Sequence, residues 1–73
     1  MGRAAAKTPP SRVPLEHECV RLLVALASRD GVIPAGAEGV VVHVHGAGEA
    51  LEVEFFEPVQ TVETVETCKV EPL

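Results

Sequence analysis

The sequence predicts an all-β domain, a small partly open barrel of five short strands. Three observations predict it. Two runs of alternating apolar residues, 40–45 and 50–56, flank a Gly-rich break at Gly46 to Glu49, which is the strongest short-range signal for a hairpin. Hydrophobic residues make up 47% of the chain, yet Trp and Tyr are absent and Phe55 and Phe56 are the only aromatics. A core must therefore be built mostly of Val and Leu, and β-branched residues favour strands. The apolar runs are also short, with one long loop after the first and tight turns after the others.

Taken in order, Met1 to Pro14 holds three prolines and little that a core would bury. It reads as a flexible tail, residues 1–14, ahead of a barrel domain at residues 15–73. Leu15 to Glu18 is a lead-in. Cys19 to Ala27 is ambiguous, because Val20, Leu22, Val24 and Leu26 alternate as in a strand while the Leu and Ala content suits a short helix. The alternation and the lack of a cap at Cys19 favour the strand. Ser28 to Glu38 is a loop with an Asp30-Gly31 turn, from which Val32 or Ile33 plugs the core.

In the next strand Val40, Val42 and Val44 share the core face, opposite Val41, His43 and His45. In the strand after it, Leu51, Val53 and Phe55 oppose Glu52 and Glu54. A loop at Gly46 to Glu49 sets His45 against Ala50, Val44 against Leu51, His43 against Glu52, Val42 against Val53 and Val40 against Phe55. A slip of one residue would place Val42 opposite a glutamate, so the hydrophobic pattern predicts the parity. Glu57-Pro58 ends the hairpin. Val62 and Val65 stand three apart, which predicts a bulge or a short strand and a turn. Cys68 to Leu73 supplies a closing strand with Val70 inward.

This order of strands and loops resembles SH3-like barrels. The spacing Ala35-Gly36-Ala37-Glu38-Gly39-Val40-Val41, followed by Leu51-Glu52-Val53-Glu54-Phe55, is similar to a family of small uncharacterised bacterial proteins that resemble such barrels. Their pattern is a valine-leucine strand, a loop ending Leu-x-x-Gly-x-x-Gly, a Val-Val strand and then Val-Glu-Phe. Ile33 stands at the loop leucine, and the likeness covers about residues 16–73. Cys19 stands where members often carry Asp, and Glu57-Pro58-Val59-Gln60 lacks the glycine usual before the fourth strand. The resemblance implies a fold and no activity. The Gly-x-x-Gly-Val-Val element is also similar to RNA-binding ribosomal and transcription-factor barrels, but those are basic.

Charge separates the function classes. Residues 1–15 carry Arg3, Lys7 and Arg12 and no acid, whereas residues 16–73 carry three cations against eleven carboxylates, a net of −8. A body of that sign repels phosphate backbones, so no nucleic-acid partner is expected. No apolar run suits a signal peptide or a membrane span, which points to the cytoplasm. Cys19 and Cys68 form no zinc spacing and read as two reduced, partly buried thiols; a disulfide between the ends of a closed sheet is the alternative.

His43, His45 and Glu52 are weak candidates for a metal site, since His-x-His sets both rings on one strand face beside a cross-strand carboxylate. A polar hairpin face accounts for them as well, and no cofactor is expected. No nucleophile elbow, phosphate loop or active-site cysteine context exists, so the chain reads as no enzyme. The surface that stands out is apolar. Leu23, Val41 and Phe56 lie opposite the core residues, with Arg21 on the same face in reach of Glu52 or Glu54. The expected function is a non-enzymatic protein-interaction module that forms a homodimer or larger homo-oligomer. The alternatives are an accessory nucleic-acid-binding barrel, an antitoxin or immunity-type partner protein and, last, a metal-dependent enzyme.

Overall fold

The computed structural model describes residues 13–73. The chain is all-β. Seven strands run β1 (Cys19–Leu22), β2 (Leu26–Ser28), β3 (Gly31–Ile33), β4 (Glu38–His45), β5 (Ala50–Phe55), β6 (Thr61–Glu66) and β7 (Val70–Pro72), with a 3₁₀ turn at Thr67–Lys69 before the last. Five of them form one antiparallel sheet in the order β6-β5-β4-β1-β7, and β2 and β3 form a separate hairpin. The sheet does not close on itself as a barrel, because β6 and β7 remain its two edges.

One face of the sheet carries the core. Val20, Leu22, Val41, Leu51, Val53, Phe55, Val65 and Val70 are buried there together with Ile33 from the β2–β3 hairpin. Leu26, Val44 and Val59 pack against this cluster. Each large side chain so buried is worth roughly 1.5–3 kcal/mol. The expected tail, residues 1–14, lies outside the described residues except at its end. There Pro14 is buried and Val13 packs on the core, so the packed chain already includes two residues assigned to the tail. Val13 sits over Gly48, where an added Cβ would come within 2.6 Å of its Cγ2.

The first apolar run is not one strand. β1 stops at Leu22, and Leu23 and Val24 make an exposed bend. The cause is the backbone's need for partners. Arg21 already pairs with Glu38, the first residue of β4. The Leu22 N–H donates to the Ala37 carbonyl, its carbonyl accepts from the Gly36 N–H, and the Leu23 N–H donates to the Lys69 carbonyl. With these groups committed, the chain leaves the sheet and Leu26–Ser28 finds a new partner in Gly31–Ile33. The stretch from Ser28 to Glu38 thus contains a strand. Ile33 plugs the core, and Val32 is exposed.

The main hairpin begins in the expected register. His45 pairs with Ala50, Val44 with Leu51 and His43 with Glu52. A bulge at Val42 then shifts it, so that Val41 pairs with Val53, Val40 with Glu54 and Gly39 with Phe55. The extra residue inverts the parity of β4. Val41 is fully buried and Val42 is exposed, which corrects the placement of Val41 on the outer face and of Val40 and Val42 in the core.

The irregularity expected near Val62 and Val65 is absent. β6 pairs without a break from Thr61 opposite Phe55 to Glu66 opposite Ala50. Val62 points outward with Glu54, and Val65 inward with Leu51. β7 closes beside β1 with Val70 inward, as expected.

Candidate functional site

The outer face of the sheet is polar, because Glu52 and Glu54 alternate with Leu51, Val53 and Phe55 along β5. Cross-strand rows follow from the register: Thr64, Glu52 and His43 in one, Val62, Glu54, Val40 and Cys19 in the next. The T-shaped rings of His43 and His45 lie 4.7 Å apart at 78°. His45 Nε2 is 3.3 Å from Glu52 Oε2, and His43 Nδ1 is 3.7 Å from Glu16 Oε2. The first contact is near enough for an ion pair with a protonated ring but is not aligned as a hydrogen bond. Each histidine thus faces its own carboxylate. Among the described residues no group of three or more His, Cys, Asp or Glu side chains is placed to hold a metal ion.

Arg21 lies on this face at the other end of the sheet. Its Nη1 is 3.0 Å from Glu71 Oε2 and its Nη2 is 3.8 Å from Glu38 Oε2. The expected bridge to Glu52 or Glu54 does not form, because β4 separates β1 from β5 while Glu38 and Glu71 are Arg21's direct cross-strand neighbours. Such part-exposed pairs are worth about 0–1 kcal/mol each and orient the side chains more than they stabilise the fold.

Phe56 and Leu23 are apolar and 51% and 48% exposed. Phe56 follows the last residue of β5 and so points away from the core that Phe55 fills. It lines an open groove of about 730 Å³ between the turn after β3, with Pro34 and Ala37, and the β5–β6 loop, with Pro58. The Glu57–Pro58 peptide in that loop is cis. Glu38 and Glu57 border the groove. The hydrogen bonds that Leu22 accepts from Gly36 and donates to Ala37 place Leu23 one residue from the same turn. Arg21, Leu23 and Phe56 therefore gather at one end of the molecule, and Val41 does not join them. Pro34 and Pro58 carry no periodic signal that would mark them in the sequence, where Glu57-Pro58 reads only as the end of the hairpin. Val32, the other candidate for the core plug, is 62% exposed.

Among the described residues no polar or charged side chain is buried. Cys19 and Cys68 are free and exposed rather than partly buried, although β1 and β7 lie side by side. Cys19 falls on the outer face, and Cys68 falls in the 3₁₀ turn, which buries no residue. Among the described residues no helix is long and apolar enough to cross a membrane. Comparison with protein-family models, with curated proteins and with solved structures finds no match to this chain.

Proposed function

We propose that the chain is a non-enzymatic, cytoplasmic protein-interaction module that self-associates, built on a bacterial SH3-like, partly open barrel. The sheet order β6-β5-β4-β1-β7, the extra hairpin after the first strand and the 3₁₀ turn before the last support the SH3-like reading. The observation that carries self-association is the exposure of Phe56, half open to solvent beside Pro34 and Pro58 in a domain with a thin stability margin. Burying the exposed half of Phe56 against a second copy gains roughly 1 kcal/mol from each side, and a glutamate there adds the cost of burying a charge.

Sedimentation velocity over a range of concentrations tests this. The wild type should form a dimer or larger species, and Phe56→Glu should weaken it by about a hundredfold or more while leaving the circular dichroism spectrum unchanged. A wild type that stays monomeric at the highest concentration overturns the reading.

The net charge of −8 on residues 16–73 supports a partner other than nucleic acid. Titration with mixed-sequence single- and double-stranded oligonucleotides at physiological salt should give no complex. Micromolar affinity falling steeply with added salt would show that a phosphate-binding surface exists after all.

A further inference from the structure

We infer that the groove at Phe56 receives the basic segment of residues 1–12 from a second copy of the chain. The inference rests on the self-association reading and names its two surfaces.

The groove offers Phe56, Pro34 and Pro58 as apolar contacts and Glu38 and Glu57 as bordering carboxylates. Its occupant must combine apolar residues with cations. Glu38 already lies 3.8 Å from Arg21, while Glu57 is exposed at the lip. Within this chain the cations divide evenly. Arg21, Arg29 and Lys69 are scattered over a body of eleven acids, and Arg3, Lys7 and Arg12 stand together in a segment with none. That segment also holds Ala4 to Ala6 and Pro9-Pro10. Proline has its φ already fixed, so seating it in a groove loses less conformational freedom than seating another residue.

Reach decides between the chain's own segment and a neighbour's. Val13 is anchored over Gly48, beyond the far end of β4 from Glu38. The eight residues of β4 separate these points by roughly 23 Å at about 3.3 Å per residue. Pro10 stands three residues before Val13 and reaches at most about 11 Å. Pro9-Pro10 therefore cannot enter the groove of its own chain and can enter that of a second copy; Arg3 to Ala6 could span the distance within one chain, but only a second copy can seat the proline pair together with the cations on either side of it. Two copies related by a two-fold axis would exchange segments reciprocally.

A charge-swap pair of full-length variants tests this. One carries Arg3→Glu, Lys7→Glu and Arg12→Glu; the other carries Glu38→Lys and Glu57→Lys, and circular dichroism confirms that each is folded. In sedimentation at low salt, each variant alone should associate at least tenfold more weakly than the wild type. An equimolar mixture should recover association, because each segment then meets a groove of opposite sign. Variants that associate as the wild type does overturn this inference and leave self-association through another surface. A mixture that fails to recover also overturns it. A wild type that is monomeric throughout removes both this inference and the self-association reading.

Discussion

Phe55→Ala should remove a large part of the chain's stability. Phe55 is fully buried and is the largest side chain in the core. Removing an aromatic ring from such a site costs about 3–5 kcal/mol, from lost transfer energy and from the cavity left behind. A chain of this length has a total stability of only about 4–11 kcal/mol. No other aromatic residue is present to refill the space, since Phe56 points out and the rest of the core is Val, Leu and Ile. Urea unfolding followed by circular dichroism gives the measurement. Phe56→Ala is the internal comparison, expected within about 1 kcal/mol of wild type if measured on the monomer. Equal losses at the two positions would mean that the alternation along β5 is misassigned.

Gly39→Ala should be the most damaging change that adds a single methyl group to the β4–β5 ladder. Gly39 is buried opposite Phe55 in the β4–β5 ladder. A Cβ there would stand 2.6 Å from Val53 Cγ1, 2.7 Å from the Glu54 carbonyl oxygen and 3.0 Å from Phe55 Cδ1. The carbonyl belongs to the backbone of a central strand and cannot swing aside. Overpacking of this kind costs about 1–3 kcal/mol, and the upper end applies where the obstacle is main chain. The expected result is a urea midpoint shifted down with the m-value unchanged, which marks a stability change alone. A shift below about 0.5 kcal/mol would show that β4 and β5 are not so closely approached at this point.

Much of this arrangement is legible in the residues, and the parts that are not share a cause. Along β5, Glu52 and Glu54 mark one face without ambiguity, and the burial of Leu51, Val53 and Phe55 follows. The turn at Gly46 to Glu49 and the three pairs nearest to it follow too. Along β4, Val40, Val41 and Val42 are the same residue three times over, so hydrophobicity cannot say which of them faces inward. The bulge at Val42 uses that indifference. Leu22 to Leu26 is similarly blind, an unbroken apolar run whose break is imposed by which backbone partners are left. Val62 and Val65 mislead in the opposite sense, since an outward valine on a regular strand looks like a lost step. For the candidate surface, Leu23 and Phe56 are exposed as read. Val41 is lost to the bulge, and Arg21's partners depend on strand order rather than on any local signal.

That strand order also governs how the chain can be assembled over time. β4, β5 and β6 are consecutive and joined by short connections, so residues 38–66 can zip together by nearest-neighbour steps. β1 and β7 come from opposite ends of the described chain and pair with each other along one side of that unit. Bringing them together costs the closure entropy of a loop some fifty residues long before any contact repays it. During synthesis β1 appears first among the strands, yet its second edge stays open until Val70 to Pro72 has been made. The part of the molecule last to be completed is therefore the flank that holds its earliest strand.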